Sequence, residues 1–101
     1  MVKHIVFWRL KDEADGAGKA ENALKVKMAL EALRGRVPGL LHLEVGVGFG
    51  RSEADYDLAL YSEFADRAAL EAYQRHPEHV AAAALVGRVR STRAVVDYET
   101  G

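Results

Sequence analysis

No cysteine occurs among the 101 residues, so the chain has no disulfide framework, no thiol nucleophile and no thiolate to bind a metal. This is compatible with the cytoplasm, the expected location. Neither sign of charge dominates. Fourteen Lys and Arg stand against fifteen Asp and Glu, a formal net charge of −1, which removes the electrostatic case for nucleic acid or an anionic membrane surface as partner. Long hydrophobic runs are also missing. The longest near the C-terminus, VAAAALVG, is far too short to span a bilayer. MVKHIVFWRLK interrupts its apolar residues with Lys3, His4 and Arg9 and so lacks a signal-peptide core. No internal repeat or low-complexity tract is present.

What is there is a globular composition, 50% apolar and 29% charged, on a length that suits one domain spanning residues 1–101. Val2 to Lys11 reads as a strand rich in Val, Ile, Phe and Trp. His4, Val6, Trp8 and Leu10 share one face; Ile5 and Phe7 share the other with Lys3, Arg9 and Lys11. The polar DEADGAG loop leads to a helix over about Lys19 to Arg34, where Ala23, Val26, Leu30 and Leu33 recur at three and four, with Leu24 and Met28 beside them. Glu21 with Lys25, and Lys27 with Glu31, sit one turn apart and read as a solvated charged face. Gly35 and VPG at 37–39 end the helix.

Leu40 to Phe49 reads as a second strand, with Leu41, Leu43, Val45, Val47 and Phe49 on one face and His42 and Glu44 on the other. Tyr56 to Phe64 is a third, with Tyr56, Leu58, Leu60, Ser62 and Phe64 together. Asp66 suits the N-cap of a second helix. Pro77 interrupts that helix, drives His76 to extended backbone and opens a further helical stretch. Thr92 to Glu99 is the last strand. The order βαββαβ, a hairpin between right-handed crossovers, predicts an α+β ferredoxin-like fold: a four-stranded antiparallel sheet with its helices on one face. The other face still carries Ile5, Phe7, Ala94, Val96 and Tyr98. A second copy is the simplest cover, so a homodimer is expected through these residues.

VKHIVFWRLKDEA, VPGLLHLEVGVGFGRSEADYDLALYSEF, LEAYQRHPEHV and VVDYE together resemble the stress-responsive dimeric α/β-barrel (Dabb) family over Val2 to Glu99, most specifically in HPEHV preceded by Tyr73 and in His4. The resemblance implies a ferredoxin-like protomer whose sheets pair into a barrel. The family's functions are mostly unassigned. One enzyme type within it, a plant polyketide cyclase, closes a linear tetraketide thioester by aldol condensation, using a helix-start histidine and a nearby tyrosine. Here the matching positions are His79 and Tyr73; His4, His76 and Asp97 also match. The cyclase's first-helix aromatics are not matched, since NALKVKMAL offers Leu24 and Met28, which implies a different substrate.

The polar groups allow two accounts. Pro77 as first helical residue makes His79 the third, where the helix dipole disfavours the imidazolium and leaves a neutral general base; equally, His79 fits a histidine hydrogen-bonded at a helix end. Tyr73 is either a core aromatic whose hydroxyl meets one partner or a donor to an oxyanion. His4 is a core histidine or a supporting group, with Asp97 as its partner or that of His79. His76 and His79 have no third ligand placed by the sequence, so no metal is expected, and proton transfer asks for no cofactor. Val6, Trp8, Leu41, Leu43, Leu58, Leu60 and Val95 are expected to line a cavity for a small apolar carbonyl ligand. Beside a cyclase-like lyase or isomerase stand two alternatives: a non-catalytic stress-response or ligand-binding homodimer, and a cofactor-independent monooxygenase or haem-binding protein.

Overall fold

The apolar first segment, Val2–Leu10, forms the strand β1 at the middle of the sheet in a computed structural model that describes residues 1–101. It is hydrogen-bonded on one side to β5 (Leu58–Phe64) and on the other to β6 (Arg90–Glu99); β4 (Leu40–Val47) completes the order β4-β5-β1-β6, antiparallel throughout. Three helices, α1 (Lys19–Glu31), α2 (Arg67–Arg75) and α3 (Pro77–Val89), complete the fold. This is the ferredoxin-like α+β architecture expected from the order of elements. Between β1 and α1 the loop folds into a small hairpin of β2 (Glu13–Ala14) and β3 (Ala17–Gly18). Its turn residues, Asp15 and Gly16, both have positive φ (55° and 78°), the mirror-image turn that Asp-Gly favours between strands.

Strand alternation sorts the side chains. Val2, His4, Val6, Trp8 and Leu10 are buried. Their cross-strand neighbours Leu58, Leu60, Ser62 and Phe64 are buried with them. Val26 and Leu30 of α1, Leu70 and Tyr73 of α2 and Val86 and Val89 of α3 close over this face; fully burying each such aliphatic side chain stabilises by about 1.5–3 kcal/mol. On the opposite face Phe7, Val96 and Tyr98 stay substantially exposed, and Ile5 and Ala94 are only partly covered.

Four expectations need correction. Leu41 does not join the inward face. Leu40 pairs with Phe64 and His42 with Glu63, so Leu41 is the extra residue of a bulge; it is 56% exposed, and Leu40 packs against the core instead. The strand containing it ends at Val47, and Phe49, beyond the ladder, is 92% exposed. Tyr56 lies before β5 and turns to the outer face, where it meets Phe7 and the Arg9 guanidinium. Finally, Lys27 and Glu31 are not merely a solvated pair. Lys27 donates to the Val45 carbonyl (2.6 Å) and Glu31 accepts from the Val45 N–H (3.1 Å), so the pair occupies backbone groups on the free edge of β4.

The turns are built as their residues require. Asp66 caps α2 by accepting from the Ala69 N–H at 2.8 Å. Gly39 has φ +82°, and a Cβ there would stand 2.5 Å from that of Ala69; only glycine satisfies both conditions.

Candidate active site

His76 is the hinge between α2 and α3. Its backbone is extended (φ −62°, ψ 132°), as the residue before a proline must be, and its Nδ1 accepts from the Glu78 N–H at 3.2 Å. It is therefore the N-cap of α3. Pro77 supplies the first helical position, and His79 follows as the third, turned towards Tyr73.

The two rings lie against each other, centroids 4.2 Å apart. His79 Nδ1 is 3.3 Å from the Gln74 carbonyl oxygen. A carbonyl only accepts, so in the neutral ring Nδ1 carries the proton and Nε2 keeps the lone pair. Burial holds the His79 pKa below its ordinary 6.5, with the nearby His4, Arg93 and His76 acting in the same direction and the Gln74 bond opposing them. Tyr73 is fully buried, and burial pushes its pKa up to about 12. Its hydroxyl has no hydrogen-bond partner within the chain, an unusual cost for a buried polar group. Neutral His79 offers a proton acceptor and neutral Tyr73 offers an unused donor.

His4 lies 6.2 Å from the Tyr73 ring, centroid to centroid. It is buried, and its Nδ1 is bound to the carboxylate of Asp97, its cross-strand neighbour. That fixes the imidazole plane. His4, Tyr73 and His79 all line one cavity of about 330 Å³, together with Val6, Trp8 and Leu60, a size at the lower end for small-molecule sites. The Trp8 indole N–H is a second buried donor without a partner. Leu43 and Leu58 sit deeper, in the packed core, and do not reach the cavity. Val95 lies on the helix side, opposite Val6, but on the outermost strand; it is half-exposed and outside the lining. The structure therefore brings His79, Tyr73, His4, Val6, Trp8 and Leu60 together and leaves out Leu41, Leu43, Leu58 and Val95. No group of three or more His, Asp or Glu side chains is placed to hold a metal ion.

Several lining residues went unread in the sequence: Ala83, Val86 and Gly87 of α3, Leu30, Arg90 and Arg93. The signal was present for some. Positions 83, 86 and 87 follow His79 at helical spacing. Arg93 shares strand parity with Val95 and Asp97 and stands directly opposite Trp8. A larger hollow of about 500 Å³ opens elsewhere, between the start of α1 and the β4–β5 loop. Its polar groups are already engaged: Asp57 accepts from the Leu10 N–H and faces Lys19, and Asp55 accepts from Ser52.

The profile of a family described as "Stress responsive A/B Barrel Domain" matches residues 2–100. An uncharacterised protein of Streptomyces coelicolor is 34% identical over 100 residues, covering 98% of this chain and 99% of its own. A crystal structure from Bacteroides fragilis, described as a dimeric protein of unknown function with a ferredoxin-like fold, is 39% identical; the match covers 98% of this chain and 95% of that one, with a TM-score of 0.81. A hydroxynitrile lyase from Passiflora edulis has the same fold, with a TM-score of 0.78 at 21% identity over 96% of this chain and 90% of its own.

Proposed function

The chain belongs to the stress-responsive A/B barrel domain (Dabb) family, and we propose that it acts as a homodimer catalysing cofactor-free proton transfer beside the carbonyl group of a small, largely apolar compound. The observation that carries this reading is the contact of Tyr73 with His79 in the cavity: a buried hydroxyl with no partner against a histidine whose Nδ1 is committed to Gln74. His79 Nε2 takes a proton from the carbon next to the carbonyl. The C–H electron pair becomes the new C=C bond and the carbonyl π pair moves onto oxygen. The enolate oxygen then accepts a hydrogen bond from the Tyr73 hydroxyl, which stabilises charge only as it develops. The resulting imidazolium returns a proton to carbon, so the cycle needs no oxidant or reductant. His4, held by Asp97, keeps the Tyr73 side of the cavity in place.

The dimer part of the reading rests on the outer sheet face. Phe7, Val96 and Tyr98 remain exposed beside Ile5 and Ala94, and the Bacteroides fragilis neighbour is described as dimeric.

The cavity is tested by filling it. Gly87 lines it, and a Cβ at Gly87 meets nothing within 4 Å. With 2-pentanone in deuterium oxide, the protein is expected to accelerate loss of the proton signals adjacent to the carbonyl. Gly87→Leu is expected to abolish that acceleration while the far-UV circular dichroism stays unchanged. Exchange no faster than in buffer, or unaffected by Gly87→Leu, would reject the site.

A further inference from the structure

Charge in this cavity is one-sided. Arg90 and Arg93 are the charged side chains that line it, and no carboxylate does. Of the other arginines, Arg34, Arg36, Arg67 and Arg88 each pair with an acidic side chain, and Arg9, Arg51 and Arg75 do not. Arg90 and Arg93 have no such partner. The carboxylates on the same strand face, Asp97 and Glu99, are taken by His4 and Arg67. Both arginines are placed by backbone rather than by chance. Arg93 is the cross-strand neighbour of Trp8, and Arg90 ends α3 opposite Leu10, at the register shift between β1 and β6. Both are exposed, whereas Trp8 and Tyr73 are buried. Two exposed cations thus line the cavity together with the buried Trp8 and Tyr73, whose N–H and hydroxyl have no partner within the chain.

We propose that the cavity selects an oxo acid, a small carbonyl compound bearing a carboxylate, with the carboxylate held by Arg90 and Arg93 and the carbonyl oxygen directed to Tyr73 and Trp8. This inference rests on the reading of the cavity as a carbonyl site and adds the second functional group. A guanidinium presents paired N–H donors that match the two oxygens of a carboxylate, and two cations with no internal partner leave their full charge for a ligand. The buried donors suit the carbonyl end, because an oxygen that gains charge during enolisation is best met where water does not compete.

The chain holds a single tryptophan, and it lines the cavity, so Trp8 fluorescence reports binding directly. The matched probes are 4-oxopentanoate and 2-pentanone, which differ by carboxylate against methyl. The acid is expected to bind about tenfold or more tightly, because an exposed pair of cations is worth only a modest gain, and added sodium chloride should narrow the difference. Arg90→Gln/Arg93→Gln should erase the preference, so that the acid binds no more tightly than 2-pentanone does to the same variant; if that double variant does not fold, Arg93→Gln alone is expected to lose most of the preference. Inorganic phosphate at equal ionic strength should displace the acid no better than acetate does. Equal binding of the two probes would overturn the oxo-acid assignment while leaving the carbonyl site standing. Persistence of the preference in the arginine variants, or stronger displacement by phosphate, would also overturn it. No response to either probe would overturn both readings.

Discussion

Tyr73 shows how a single atom separates stability from chemistry. A buried hydroxyl without a partner costs about 1–3 kcal/mol, and this one is fully buried and unpaired. Tyr73→Phe removes the oxygen and keeps the ring that packs on Phe64, His4 and His79. The variant is therefore expected to be more stable than the parent by roughly 1 kcal/mol, a rise in melting temperature of about 4–8 °C in calorimetry for a domain of this size. Proton-transfer activity should fall by about a hundredfold, the usual result of losing one oxyanion donor. A melting temperature that drops would mean the hydroxyl does have a partner in the folded protein. At this scale the sequence was informative where residues have one structural use: Pro77 fixes the extended His76 and so the helical position of His79. It was silent on the Gln74 bond and the missing Tyr73 partner, because both depend on how α2 and α3 meet.

Among the elements, the joint between α1 and β4 carries more than its sequence suggested. Spacing of four marks Lys27 and Glu31 as an ordinary helical pair, yet both reach across to Val45. The Lys27 ammonium beside Glu31 holds its carboxyl below the ordinary 4.5, with the Val45 N–H adding to the effect against some desolvation. A carboxylate depressed in the folded state contributes stability above its unfolded pKa and loses it as pH falls through the folded value. Glu31→Gln is therefore expected to make the urea midpoint less dependent on pH below about 4.5, and an unchanged pH slope would remove the bond from the account. The bulge at Leu41 illustrates the opposite limit of legibility. Alternation along LLHLEV correctly assigns Leu43 and Val45 inward, but one inserted residue reverses the parity before it, and nothing in the local composition marks that insertion. Arg90 escaped notice for the same reason, since the register also shifts between Arg9 and Leu10.

At the scale of the whole molecule, the order of strands and helices and the two-faced apolar pattern of β1 were enough to give the ferredoxin-like topology, because sheet parity and right-handed crossovers leave few other arrangements. The cavity was less legible. It is lined by residues of α3, β1 and β6 together with Leu30, Leu60 and Tyr73, and the spacing between packed elements is not written in periodicity. The same outward pattern sets the assembly prediction. Phe7 is exposed on the outer face beside Tyr56, so Phe7→Asp costs the protomer little and places a charge in the proposed interface. Sedimentation should find the parent dimeric at micromolar concentration and Phe7→Asp mainly monomeric, with both folded. A monomeric parent would contradict the homodimer.

The central claim is that His79 is the base, and solvent exchange tests it most directly. The rate of deuterium incorporation next to the carbonyl of 2-pentanone is measured per folded molecule, from pH 5 to 9, for the parent and for His79→Ala. Because burial lowers the His79 pKa, the parent's rate should rise with pH along a limb whose midpoint lies below the ordinary histidine value of 6.5, then level off while Tyr73 remains protonated. His79→Ala should lose about a hundredfold or more in rate, together with that limb. Parent and variant exchanging at equal rates, both well above buffer, would contradict the account.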